Sequence, residues 1–169
     1  MMFKDKLLPT LVSVVTTMYE GVVNAAPITW FSPCSYDPPL IMLAIKYNSD
    51  TLINALKERE FVLQTFPVYD AQEVHNLARR LPRNESEIDE SDFTLTKSEK
   101  VKVPRITECK EWYECKVIQK GHTYSKTHCI IIGKVLSNGK NNKSSTLLYK
   151  GGLAYSGLSD EEFLLVKPY

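Results

Sequence analysis

The chain has 169 residues, 43% hydrophobic and 24% charged, the composition of one globular domain with a real core, which excludes disorder of the whole. Its formal net charge is +1, with lysines and arginines spread along the chain and no interleaving of basic and aromatic residues, so no nucleic-acid footprint is expected. No apolar run approaches the roughly 18 residues of a membrane span and no charged, apolar, cleavable leader is visible, so a soluble, cytoplasmic single domain over residues 1–169 is expected.

In chain order, the β-branched stretch Thr10 to Thr17 predicts a buried strand, and so does the unbroken apolar run Leu40 to Ile45. Between them, Asn24 to Pro39 is dense in proline and small polar residues and reads as a ligand-contacting loop held by the two strands. Ser49-Asp50-Thr51 then precedes Leu52, Ile53 and Leu56 at helical spacing, which predicts a short helix capped by Ser49 or Asp50. A helix N-terminus offers backbone donors and a positive dipole end, so this one is either a phosphate seat, with Thr51 adding a hydroxyl and Lys46 a charge, or plain capping.

Phe61 to Phe66 reads as a further strand, and Val74, Leu77, Ala78 and Leu81 mark an amphipathic helix from about Ala71, with His75 at its boundary. From Pro82 to Ser98 the chain turns polar and acidic through Glu85, Glu87, Asp89, Glu90 and Asp92, which reads as a solvated connection or as a lid over a site. Beyond Val101 the pattern is strand: Glu111 to Gln119 and Thr127 to Leu136 across a flexible connection, then Leu147 to Tyr155 bending at Gly151 and Gly152. Strands in this number with two short helices predict a mainly β, closed or nearly closed antiparallel barrel.

Cys34, Cys109, Cys115 and Cys129 are too irregularly spaced for a disulfide framework, so reduced thiols are expected. Cys109, Cys115, His122, His128 and Cys129 fall in one stretch that zinc ligation would allow, yet there is no C-x-x-C and no H-x-x-x-H, and no metal is assigned. The N-x-S triplets at Asn84 and Asn142 carry no meaning in a cytoplasmic chain. No G-x-G-x-x-G occurs, which removes a Rossmann nucleotide site in its usual form.

Several short words stand in a recognisable order: Asn24 to Ser32, Ser35-Tyr36-Asp37-Pro38-Pro39, Asp50-Thr51 with Asn54, Glu60 to Leu63, Val103 to Ile106, Glu114 to Val117, and Thr127-His128 with Gly133. In this order they resemble the flavin reductase-like family of FMN-binding split barrels, which includes flavoredoxin. The bulky Pro27, Trp30, Phe31 and Pro33 are similar to the flavoredoxin-like branch rather than to the simple two-component reductases.

The resemblance implies an antiparallel Greek-key split barrel with short flanking helices and an FMN held at a homodimer interface. It further implies that Asn24, Ala25, Ala26, Pro27, Ile28, Thr29, Ser32, Pro33, Cys34 and Ser35 line the flavin ring, and that Lys46, Asp50 and Thr51 lie near the ribityl chain and phosphate. His128 matches a family histidine and is the expected contact of a nicotinamide donor, NADH or NADPH; a strand-end histidine bonded to backbone is the other reading. Two functions are implied: an oxidoreductase passing electrons from NAD(P)H through FMN to free flavin, a ferric chelate or another acceptor, and a non-enzymatic FMN electron carrier serving an electron-acceptor protein.

Overall fold

The computed structural model describes residues 7–79, 82, 85–120 and 125–158. Leu81 of the second helical stripe, Asn84 of the first N-x-S triplet, and His122 in the connection after Lys120 lie outside these residues. The first part of the chain forms β1 (Thr10–Leu11), β2 (Ser13–Tyr19), β3 (Val22–Ile28), β4 (Phe31–Ser35), β5 (Leu40–Lys46), α1 (Asp50–Glu58) and β6 (Glu60–Thr65). It continues through α2 (Ala71–Asn76), β7 (Leu95–Thr96), β8 (Arg105–Ile106), β9 (Glu111–Lys120), β10 (His128–Lys140), β11 (Thr146–Gly151) and β12 (Ala154–Leu158).

Seven antiparallel strands form one sheet in the order β3-β2-β6-β9-β10-β5-β4, and the β4–β5 pairing continues into the link from β3, where the Ala44 amide donates to the Trp30 carbonyl at 2.9 Å. This is a mainly β split barrel, as expected. Its lumen is filled by the inward residues of the alternation, including Val15, Leu43, Phe61, Cys115, Cys129 and Ile131, all fully buried. α1 covers the end of the barrel where β5 finishes and β6 starts, inserting Leu52 and Ala55 into that core. Ser49 caps it, its hydroxyl accepting from the Leu52 amide at 3.3 Å, and Arg59 ends it in the left-handed region at φ +62°. A second cluster, with Val14, Phe66, Val74, Leu77 and Leu147, joins α2 and the β1-β11-β12 sheet to the outside of β2 and β6.

Three expectations need correction. Asn24 to Pro39 is not a loop: it forms β3 and β4, joined at Thr29 and Trp30. Its prolines are tolerated because Pro27 and Pro33 sit on the two edge strands, where a missing N–H takes nothing from the ladder. The second helix stops at Asn76, although its stripe residues Val74 and Leu77 are buried as anticipated. The acidic segment is no simple solvated connection, since Ile88 and Phe93 are 5% and 6% exposed and the Phe93 ring lies 5.1 Å from that of Phe66. Two apolar side chains within an acidic run are enough to dock it. Among the described residues no helix is long and apolar enough to cross a membrane.

Candidate flavin site

Edge strand β3 builds one wall of the site. Residues 20 and 21 make the tight turn from β2, with Glu20 at φ +50° and Gly21 at φ +84°, and the register pairs Val14 with Pro27 and Thr16 with Ala25. Proline cannot bond in the ladder, so Val14–Pro27 and Thr16–Ala25 are the non-hydrogen-bonded pairs, and the polar groups of residues 25 and 27 face away from β2. The Ala25 amide is taken by Glu87, donating to its carboxylate at 3.2 Å.

The same carboxylate accepts from Asn24 Nδ2 at 3.0 and 2.9 Å, while Asn24 Oδ1 accepts from Thr51 Oγ1 at 2.8 Å. A chain of bonds therefore runs from the acidic segment through β3 to the first turn of α1. Thr51 is 2% exposed, so its hydroxyl orients Asn24 from within. Burial raises the Glu87 carboxyl above its ordinary value, with the bonds from Ala25 and Asn24 acting the other way. Composition alone hid this residue, because an acidic run looks the same whether one of its members faces water or caps a strand edge.

Two adjoining cavities follow this wall. One, of about 330 Å³, is lined by Ala26 to Trp30, Lys46, His128 and Tyr149 among others. The other, of about 470 Å³, shares Ala26, Pro27, Lys46, Ser49 and Thr51 with it and adds Asn24, Asp50, Arg79 and Glu87. Together they form a groove that is apolar and aromatic at one end and polar at the other. The polar end holds the N-terminus of α1 with its positive dipole, Lys46, and Arg79, a cation that the sequence reading passed over and that pairs with Glu90 at 3.5 Å.

The residues expected around a flavin thus divide. Asn24, Ala26 to Thr29, Lys46, Asp50 and Thr51 come together along the groove, and Ala25 is fully buried in the second core cluster behind it. Ser32, Pro33, Cys34 and Ser35 do not line the groove. They lie on β4, with Pro33 and Ser35 at a separate cavity and Ser32 and Cys34 exposed. Their positions are fixed by pairing with β5, Ser32 opposite Met42 and Pro33 opposite Ile41.

His128 opens β10 opposite Lys46, and its ring stacks on Trp30 with centroids 4.6 Å apart. Its Nδ1 lies 2.9 Å from Thr127 Oγ1. Partial burial, and then the charge of Lys46, lower its pKa from the usual 6.5, so the ring is neutral at neutral pH. The cysteines do not converge with it. Cys115 and Cys129 are buried in the barrel core, Cys109 is in the second cluster, and Cys34 is exposed. Burial pushes the Cys109 thiol up to about 11 and that of Cys115 higher, the opposite of what a metal ligand needs. Among the described residues no group of three or more His, Cys, Asp or Glu side chains is placed to hold a metal ion.

The sequence profile described as flavin reductase like domain matches residues 5–157. The chain belongs to this flavin reductase-like family. It is similar to the uncharacterized protein YwrF of Bacillus subtilis, 31% identical over 116 residues that make up 66% of this chain and 57% of that one. The matched region is thus less than two thirds of that relative's length.

Two solved structures of the flavin reductase-like fold are similar over nearly the whole chain. Nitrilotriacetate monooxygenase component B from Bacillus cereus has a TM-score of 0.84 and 26% identity, covering 97% of this chain and 95% of that one. The FMN-binding protein from Thermus thermophilus, with bound 1-cyclohex-2-enone, has a TM-score of 0.80 and 25% identity over 94% and 92%. The groove suits a flavin on its own terms: an aromatic and apolar end for a planar ring, outward strand-edge groups for its polar rim, and cations with a helix N-terminus for an anion.

Proposed function

We propose that the protein binds FMN and acts as an oxidoreductase, passing electrons from NADH or NADPH to free flavin, a ferric chelate or another acceptor. The observation that carries this reading is the continuity of the groove, from Lys46 and the α1 N-terminus to Trp30 and His128. FMN would supply the redox chemistry when bound, as a carrier of two electrons that a free flavin can accept as a pair and ferric chelates one each. The chain's own part is positional. Asn24, fixed by Glu87 and Thr51, holds β3 in place, while the β3 edge presents polar groups to the ring. Lys46 and the start of α1 attract the phosphate, and the neutral His128 ring contacts the donor. Anaerobic addition of NADH or NADPH tests the whole reading: bleaching of the visible flavin band is expected, and indifference to both donors would overturn it. The cyclohexenone bound to the Thermus thermophilus protein supports including small conjugated carbonyl compounds among the acceptors assayed.

One observation favours a second reading, the FMN electron carrier. Trp30 lies against His128, so one side of the ring proposed to meet a nicotinamide is already in contact with an indole. The same mixing experiment decides between them, since a carrier exchanges electrons with a partner protein and not with NAD(P)H.

The phosphate assignment leads to its own expected outcome. FMN should bind more tightly than riboflavin, and Lys46→Ala should weaken FMN by on the order of tenfold while leaving riboflavin unchanged, the scale of one bond to a charged group. Equal affinities for the two flavins, measured by fluorescence quenching, would place the phosphate elsewhere.

A homodimer completes the arrangement. On the outer face of the sheet Ile130 pairs with Ala44, Ile132 with Met42, and Met42 with Ser32, an apolar patch continuous with the groove-lining Lys46 and His128. A second copy seated on this face covers the rim of the groove and places Ser32 and Cys34 in the interface. Ile132→Asp should therefore give a monomer in sedimentation at micromolar concentration and weaken FMN retention by mass action. A variant that remained dimeric with FMN fully bound would remove this face from the interface.

A further inference from the structure

Tyr149 on β11, Tyr155 on β12 and His75 on α2 form an aromatic row that starts at the groove and has no part in the FMN contacts proposed above. Tyr149 lines the apolar end of the groove together with Leu7, Leu8 and Thr10. Its register partners are Thr10 on β1 and Tyr155, and directly opposed side chains stand on the same face of a sheet. Thr10 turns toward the β3 wall, its hydroxyl donating to the Thr29 carbonyl at 3.4 Å, so Tyr149 stands on the groove side too. The Tyr149 hydroxyl is used within its own hairpin, donating to the Gly152 carbonyl at 3.2 Å. What this residue offers the cavity is therefore ring surface.

The row fixes that ring. Tyr149 and Tyr155 are tilted by 55° with centroids 5.6 Å apart, and Tyr155 meets His75 edge-on at 5.8 Å with its hydroxyl 2.9 Å from Nδ1. Aromatic pairs of this kind attract beyond the area they bury, and the bond anchors the row on α2. Tyr149 is only partly buried, whereas Leu147, on the same face two residues earlier, is fully buried in the second cluster. A firmly held aromatic residue is thus left partly uncovered at the wall of a cavity.

We propose that Tyr149 is a cofactor-binding residue whose ring packs on the dimethylbenzene half of the flavin, with Tyr155 and His75 as positioning residues behind it; this rests on the FMN reading above. That half of the flavin carries no polar atom, which suits the apolar company of Leu7 and Leu8. A ring already fixed by its neighbours loses little freedom on contact, and the contact is blind to the flavin's side chain.

The test combines isotope-filtered NMR of FMN on the labelled protein with affinities for FMN, riboflavin and lumiflavin. Nuclear Overhauser contacts between the Tyr149 ring and the flavin 7- and 8-methyl protons are expected. Tyr149→Ala should weaken all three flavins by the same factor, about tenfold, and Tyr149→Phe by less than about twofold. Tyr155→Phe, which removes the bond to His75, should weaken them about threefold in the parent and not at all in Tyr149→Ala, a dependence that general loss of stability does not produce. Absence of those contacts with FMN bound, undiminished affinity in Tyr149→Ala, or a loss confined to FMN would each overturn the proposal and leave FMN binding standing. A parent that bound none of the three flavins would overturn both.

Discussion

Replacing His128 with alanine should slow flavin reduction by NADH or NADPH about tenfold to a hundredfold, the scale of one or two positioning contacts at roughly 1.4 kcal/mol per decade. FMN should stay bound with its visible spectrum nearly unchanged, because the substitution leaves Lys46 and the α1 N-terminus, the groups assigned to the phosphate, in place. Dithionite needs no docked nicotinamide, so its reduction rate should be that of the parent. The pH dependence is a further check. With its pKa lowered by burial and by Lys46, His128 is neutral above its ordinary 6.5, and the parent rate should show no step from this group at or above neutrality. An unchanged NAD(P)H rate in His128→Ala would leave the histidine as a strand-end residue bonded to Thr127.

The second large effect is on stability. Glu114 on β9 is fully buried, and its carboxylate accepts from the Glu99 amide at 2.9 and 3.0 Å and from the Lys100 amide at 2.6 Å. These bonds tie down the segment that brings Val101 and Val103 onto Val62. Glu114→Ala leaves two amides without their acceptor and loosens that cluster, so a loss of about 3 kcal/mol is expected, with about half of that for Glu114→Gln. For a domain of this size the alanine variant should melt on the order of 10 °C lower. A change within about 0.5 kcal/mol in urea unfolding, the range of an ordinary surface substitution, would show that the segment is held by its valines alone.

Different residues of the site were legible to different degrees. The cap at Ser49 and the start of α1 were readable because capping is a local event, decided by a hydroxyl within three residues of the amide that it serves. Strands β2, β5, β6, β9 and β10 were readable because an apolar or β-branched run records burial directly. β3 and β4 were mistaken for a loop because their prolines are strand-breakers except at an edge, and which strand is an edge depends on the strand order. Thr51 lines the groove, yet its hydroxyl faces inward to Asn24, a direction that no spacing rule contains.

By itself, then, the sequence determined the mainly β barrel and the start of α1 at Asp50, since each of these rests on local pattern or on motif order. Only the tertiary structure decided that Glu87, some sixty positions from Asn24, fixes its amide, and that Arg79 lines the same cavity as the α1 N-terminus. It alone separated Ser32 and Cys34 from the groove and placed them on an outer face. The reason is common to all three: long-range partners follow from how strands pair and how segments dock, and neither leaves a period in the chain.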